Sequence, residues 1–236
     1  SELVIGSEEY DPYNFISENG ENAGIDVELA QEACRRIGRK AVFREIAWDE
    51  KNNCLSRGEV DCLWGCLPMN GAEDEYLWAG PYMNSRQMVA VRKSSDIYLI
   101  SDLGGRRVAV RSGSEPEKLF GAQPEGIPQV EGLYSFADKD SCFAALRKGY
   151  VDAFAGHEAM LLRSIADSGN EFRMIGESMM EVQLGVAFSK DGDGALAEEL
   201  SGALLEMIAD GTAAQIVAKY GLDPDKALGG ISLEAE

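Results

Sequence analysis

The residues with the chemical means to act are few and widely spaced. Histidine occurs once, at His157, and cysteine five times, at Cys34, Cys54, Cys62, Cys66 and Cys142. No two cysteines form a CxxC pair, and a single imidazole cannot complete a Cys/His ligand set. No metal and no cofactor is therefore expected, and buried free thiols are the default. Cys62 and Cys66 lie four apart in a strand-like run and so share a face. One disulfide, for example Cys54 with Cys62, stays open because spacing alone does not decide it. No nucleophile elbow, phosphate loop or metal-binding helix motif is present.

What remains is non-covalent chemistry. Arg111 ends a strand-like segment, and Ser114 and Glu115 follow at a helix start, where unpaired N–H groups favour a negative charge. The plainer alternative has Arg111 in solvent or paired with Glu115. A lone histidine is ordinarily a satisfied structural residue, but His157 sits at a strand end, which gives ligand contact equal standing. If it touches a ligand, binding should change between about pH 5.5 and 7.5 as the imidazole titrates. The run Glu73-Asp74-Glu75 could draw cations to a site, although such runs are commonly solvated helix faces.

The elements that must position these residues alternate. Leu3–Gly6 reads as a strand, Asp26 can cap a helix carrying Leu29, Ala30, Ala33, Cys34 and Ile37, and Gly38 can end it. Residues 40–46 alternate as a strand, a short helix spans about 51–56, and 60–67 is another strand. A second βαβαβ run follows: 107–111, a helix from Glu115, a strand near Gln129-Val130, a helix over about 138–148, and 151–155. Residues 181–189 form a further strand. Two helices follow, the first with Leu196, Leu200, Leu204 and Ile208 at four-residue steps. The tail after Asp223-Pro224 reads as a frayed end or linker.

At 236 residues the chain is long for one compact unit and comfortable for two lobes. With 41 acidic against 22 basic residues its net charge is −19, which argues against nucleic-acid and membrane-surface partners and keeps the chain soluble. No apolar run reaches the roughly 18 residues that span a bilayer. The sequence opens directly on a strand, consistent with a removed leader or with a cytosolic protein.

Several segments, in order, resemble the family 3 extracellular solute-binding proteins of the amino-acid-binding type. They are Tyr10-Asp11-Pro12-Tyr13, Gly24-Ile25-Asp26-Val27-Glu28-Leu29, Trp48, and Leu55 through Asp61. Ala79-Gly80-Pro81-Tyr82, Asp102 through Val110, Arg147 through Ala153, Asp210-Gly211 and Lys219-Tyr220-Gly221 continue the match. The resemblance implies an α/β, two-lobed type II periplasmic-binding-protein fold, each lobe a mixed sheet flanked by helices, joined by two crossover strands. It implies a discontinuous first lobe, 1–90 plus 187–236, and a second lobe, 91–186. It implies a ligand held in a cleft between lobes that close by a hinge, and an extracytoplasmic location.

The family clamps an α-amino acid with an arginine for the carboxylate and an aspartate for the ammonium. The arginine position falls here on Ala72 or Glu73, the preceding threonine position on Asn70, and the aspartate position on His157. Burying a charged ligand group without its partner costs about 3–5 kcal/mol, so an ordinary zwitterion is not expected to be held in the usual manner. The remaining matched positions are Tyr10 and Trp48 as flat walls, Cys66 and Pro68 as backbone-lined positions, and Arg111, Ser114, Glu115 and His157 from the second lobe. The expected ligand is small and polar, amino-acid-like or anionic. The expected partner is a membrane permease or, in a receptor, the chain's own transmembrane signalling segment. The alternatives are a cleft enzyme of the cyclohexadienyl dehydratase type, using Glu115 with His157, and a protein-docking module that has lost solute binding.

Overall fold

The computed structural model describes residues 1–192 and 194–231, which divide into two compact units, 1–85 with 182–236 and 86–181. The expected borders lie five residues later in the chain. Residue 193 and residues 232–236 of the expected first lobe lie outside the described residues.

Unit 1 begins with β1 (Glu2–Ser7), the short hairpin β2 (Phe15–Ile16) and β3 (Asn22–Ala23), and α1 (Ile25–Arg36). It continues through β4 (Lys40–Glu45), a 3₁₀ turn (Trp48–Glu50), α2 (Lys51–Ser56), β5 (Cys62–Pro68) and the first part of β6 (Leu77–Arg92). The chain enters unit 2 within β6. There it forms a 3₁₀ turn (Ile100–Leu103), β7 (Arg107–Arg111), α3 (Glu115–Ala122), β8 (Gly132–Phe136), α4 (Lys139–Arg147), β9 (Ala153–His157), α5 (Glu158–Asp167) and β10 (Phe172–Met174). It returns within β11 (Met180–Phe188) and finishes unit 1 with α6 (Gly194–Ala209), α7 (Thr212–Lys219) and α8 (Pro224–Leu228).

In unit 1 the strand order is β4-β1-β5-β11-β6, with β1 parallel to both β4 and β5, and β11 antiparallel to β5. In unit 2 the order is β6-β9-β7-β8, with β10 also on β6; β7 runs parallel to β8 and β9, while β6 is antiparallel to β9 and β10. Parallel neighbours need crossovers, and helices supply them, which is why the 3.6 and 2.0 periodicities alternate along the sequence. Each unit has its own apolar interior. Leu55, Val60, Leu63 and Ala187 cluster in unit 1, and Val89, Val108, Val110, Phe120 and Ala155 are among the buried residues of unit 2.

Four local expectations change. α1 starts one residue before Asp26: Gly24 is the N-cap, and the carbonyls of Pro12 and Tyr13 accept from the N–H groups of Ile25 and Asp26, each at 2.9 Å. Gly24 has φ +128°, and a Cβ there would lie 2.4 Å from the Tyr13 oxygen, so the approach requires glycine. The ridge of α6 is Ala197, Leu200, Leu204 and Met207, not a strict four-step stripe, because steps of four drift by about 40° each on a 3.6-residue helix. β8 starts at Gly132, beyond Gln129-Val130. The tail is not frayed through 231, since Asp223 caps α8 and Ala227, Leu228 and Ile231 are buried.

Candidate functional site

In unit 1 Cys66 and Pro68 lie in the last residues of β5, and Trp48 packs over Gly65 of the same strand. Cys66 is buried and has the left-handed φ of +54°, rare for a side chain with a Cβ. Its backbone N–H donates to Asp26 Oδ2 at 2.9 Å, and Tyr82 Oη donates to Asp26 Oδ1, also at 2.9 Å. Asp26 is only 1% exposed. Burial pushes its carboxyl up to about 7, partly offset by the Tyr82 and Cys66 hydrogen bonds. The carboxyl thus holds the backbone of β5 at the left-handed Cys66. Sequence reading gave Asp26 to a helix cap; an acidic residue directly after Gly24-Ile25, inside the first turn, was the available signal for another role.

Tyr10 stacks on Tyr13 with ring centroids 5.5 Å apart, and the loop between them is closed by Tyr10 N–H to Asn14 O at 2.6 Å. Trp48 lies over β5 because Gly65 has no side chain; a Cβ there would come within 3.1 Å of the indole. Lys51 Nζ sits 5.4 Å from the Trp48 ring centroid. Pro68 is half-buried and registered with Leu184 of β11. Asn70 is exposed and its Oδ1 accepts from Gln183 N–H at 2.8 Å, which ties the turn after β5 to β11. The Glu73 carboxylate folds onto the N–H groups of Glu73 and Gly71, which hold its pKa low. Neither Ala72 nor Glu73 offers a cation.

In unit 2 the expected residues lie at the carboxyl ends of β7 and β9. Arg111 closes β7, and the following turn bonds Ser114 N–H to Arg111 O at 3.2 Å. Ser114 is the N-cap of α3, yet its side chain makes no capping bond, and its buried Oγ has no hydrogen-bond partner. Glu115 is spent locally, its Oε1 accepting from Lys118 Nζ at 2.9 Å. His157 is the N-cap of α5 and half-buried; burial first, and the Arg111 charge second, pull its pKa down to about 4. The imidazole is therefore neutral across the physiological range, and its titration falls below the expected window of pH 5.5 to 7.5.

Sequence reading missed Gln87. It is registered with His157 across β6 and β9, fully buried, and its Nε2 lies 3.2 Å from His157 Nδ1 and 3.4 Å from Nε2. Gln87 Oε1 is buried with no hydrogen-bond partner. A polar residue in the run Gln87-Met88-Val89-Ala90-Val91 was its only mark. The neighbouring carboxylates are engaged: Glu158 by Arg86, with Arg86 Nε to Oε2 at 2.9 Å, and Asp138 by Ser141 N–H at 2.7 Å as the cap of α4.

Among the described residues no disulfide joins any of the five cysteines. Burial raises the thiols of Cys34, Cys62 and Cys142, which suits packing and not reactivity. Among the described residues no group of three potential metal ligands converges, and no helix is long and apolar enough to cross a membrane.

With this geometry in view, residues 3–223 match the family profile of bacterial extracellular solute-binding proteins, family 3, and the chain belongs to that family. The fold is that of type II periplasmic binding proteins. Among curated relatives, the L-cystine-binding protein TcyA of Bacillus subtilis is 29% identical over 224 residues, covering 92% of this chain and 80% of the relative. The histidine-binding periplasmic protein of Escherichia coli K12 is 29% identical over 226 residues, covering 89% and 84%. Among solved structures, an ancestral arginine-binding protein bound to glutamine superposes with a TM-score of 0.79 at 27% identity, covering 93% of this chain and 97% of that one. A Streptococcus pneumoniae uptake-transporter binding protein with bound histidine reaches 0.82 at 22% identity, covering 94% and 93%, a likeness of fold. The relatives named are binding proteins, not enzymes.

Proposed function

We propose that this chain is an extracytoplasmic binding module that closes by a hinge on a small polar solute, for uptake through a membrane permease or for sensing. The ligand is amino-acid-like or anionic, drawn from the chemistry its relatives bind but held without their two-charge clamp. One observation supports this reading: residues 3–223 match the family throughout, and where the resemblance would put the clamp's arginine and aspartate the chain has Ala72 or Glu73 and His157. Arg111, the unpartnered Ser114 hydroxyl and the start of α3 then form the anion-attracting part of unit 2. Tyr10, Trp48, Cys66, Pro68 and Asn70 supply the unit 1 contacts. An acid–base role for Glu115 with His157 is disfavoured, because Glu115 is paired with Lys118 and His157 lies against Gln87.

The test is a thermal-shift screen of amino acids and small carboxylates, including cystine, histidine, arginine and glutamine, alongside native mass spectrometry of freshly purified protein. A ligand at 100 times its Kd should stabilise the fold by about 2.7 kcal/mol. A screen in which no compound raises Tm, with no co-purified mass, removes the solute-binding reading. Turnover of a hit, seen as a changed mass, replaces it with an enzyme.

A further inference from the structure

Resting on the solute-binding reading, and sharpening its ligand class, we propose that Gln87 and His157 form an uncharged hydrogen-bonding seat selecting a carboxylic acid whose neighbouring substituent is neutral, such as hydroxyl, over one bearing an α-ammonium. Gln87 is the new member of the site. Its amide is fully buried at a register position opposite His157, and its Oε1 has no hydrogen-bond partner among the described residues. An unpartnered buried acceptor is costly and needs a reason; a ligand group supplies one.

The charges around the seat define what fits. From β7, Arg111 brings a cation close enough to depress the imidazole, and Asp138 at the start of α4 lies within reach of the same guanidinium. From α5, Glu158 is neutralised by Arg86 of β6. From α3, Glu115 is paired with Lys118. Asp138 caps its own helix through Ser141 N–H. An ammonium placed at His157 would thus meet a neutral ring and a nearby cation, without the counter-charge it needs; loss of such a buried partner weakens binding more than a hundredfold.

A hydroxyl has no such requirement. It can donate to Gln87 Oε1 once the side chains covering that buried atom move aside. If the amide turns, its oxygen accepts from an imidazole N–H and the hydroxyl accepts from Nε2, because amide and imidazole can each present a donor or an acceptor. The adjoining carboxylate faces Arg111 and the Ser114 hydroxyl.

L-lactate and L-alanine test this directly, since they share a skeleton and differ in hydroxyl against ammonium. His157 is the only histidine, so its imidazole proton signals identify themselves in the intact protein. L-lactate should shift those signals saturably, and L-alanine should bind at least about tenfold more weakly. Gln87→Met should weaken L-lactate by about two- to tenfold, the loss expected for a hydrogen bond between neutral groups. His157→Asp, read by thermal shift, should reverse the preference toward L-alanine. L-alanine equal to or tighter than L-lactate, no saturable shift with L-lactate, or an unchanged Gln87→Met overturns the proposal. If an amino acid from the thermal-shift screen binds while L-lactate leaves the imidazole unmoved, solute binding survives and this seat does not. If neither the screen nor L-lactate gives a response, both fall.

Discussion

The strand-end regions of the two units treat their polar groups in opposite ways. In unit 1 the buried carboxyl of Asp26 is closed on itself, taking Cys66 N–H and Tyr82 Oη, and its work is to hold a strained backbone. In unit 2 the buried Gln87 Oε1 and the Ser114 hydroxyl have no hydrogen-bond partner among the described residues, although Gln87 Nε2 lies against His157. Folding alone explains the first arrangement. It does not explain the second, since each buried polar atom left unmade costs about 1–3 kcal/mol. The contrast holds for these groups and not for the whole of either unit, since Trp64 Nε1 in β5 and Ser164 Oγ in α5 are also buried without a hydrogen-bond partner among the described residues.

The strongest attempt to break that contrast is Asp26→Ala. It orphans the Tyr82 hydroxyl and the Cys66 N–H together and should cost roughly 2–5 kcal/mol, read as a lower midpoint in urea with an unchanged slope. A loss under about 1 kcal/mol would mean that the left-handed Cys66 needs no anchor.

The two regions should also respond to pH with opposite sign. Asp26 has a folded pKa of about 7, above its ordinary value of 3.8, so the folded state holds the extra proton between those values. Its contribution is fully present below about pH 4 and is lost as pH rises through 7. His157 has a folded pKa of about 4, below its ordinary 6.5, so the unfolded state holds the extra proton there. Its contribution is present above about pH 6.5 and is lost as pH falls toward 4. Asp26→Asn and His157→Gln should therefore tilt the curve of Tm against pH in opposite directions between pH 4.5 and 7, by about 3–6 °C at the ends. Tilts of the same sign would sink the comparison. Below pH 4 a third effect enters, because Glu32, bonded to Arg35 and Arg36, and Asp210, bonded to Thr212 and Arg36, are both lowered to about 2. Their support is lost as pH falls toward 2.

What the sequence made legible follows from how local the cause is. The βαβ grammar could be read because each helix and strand carries its own periodicity, and α2 falls at 51–56 as expected. α5, which begins directly after His157, was not anticipated, because its start carries no Ser, Thr, Asp or Asn cap signal. α8 was hidden in a short polar tail whose cap, Asp223-Pro224, looked like a chain break. The matched positions located the ends of β5, β7 and β9. The bonds that decide their roles join residues far apart in sequence, 40 positions for Asp26 with Cys66 and 70 for Gln87 with His157. No window of periodicity contains both partners.

Gln87→Met sharpens the comparison from the other side. Removing the unpartnered amide relieves an unmet hydrogen bond while giving up a poorly aligned contact to the imidazole. The variant should be as stable as the parent or more stable by about 1 kcal/mol, by urea unfolding without added ligand. A loss above about 1 kcal/mol would return Gln87 to the structural class occupied by Asp26.

The smallest effect concerns Asn70, which spends its Oδ1 on Gln183 N–H at 2.8 Å. That bond joins the turn after β5 to β11, near the Pro68–Leu184 register pair, and the side chain is exposed to solvent. Water can replace it, so Asn70→Ala should cost only about 0.5–1 kcal/mol and leave the Tm-against-pH curve parallel to the parent's. Asn70→Asp keeps an acceptor for Gln183 N–H and should recover most of that loss. If both variants fold normally but abolish ligand-induced stabilisation, Asn70 is a recognition residue whose amide works through its Nδ2 donors.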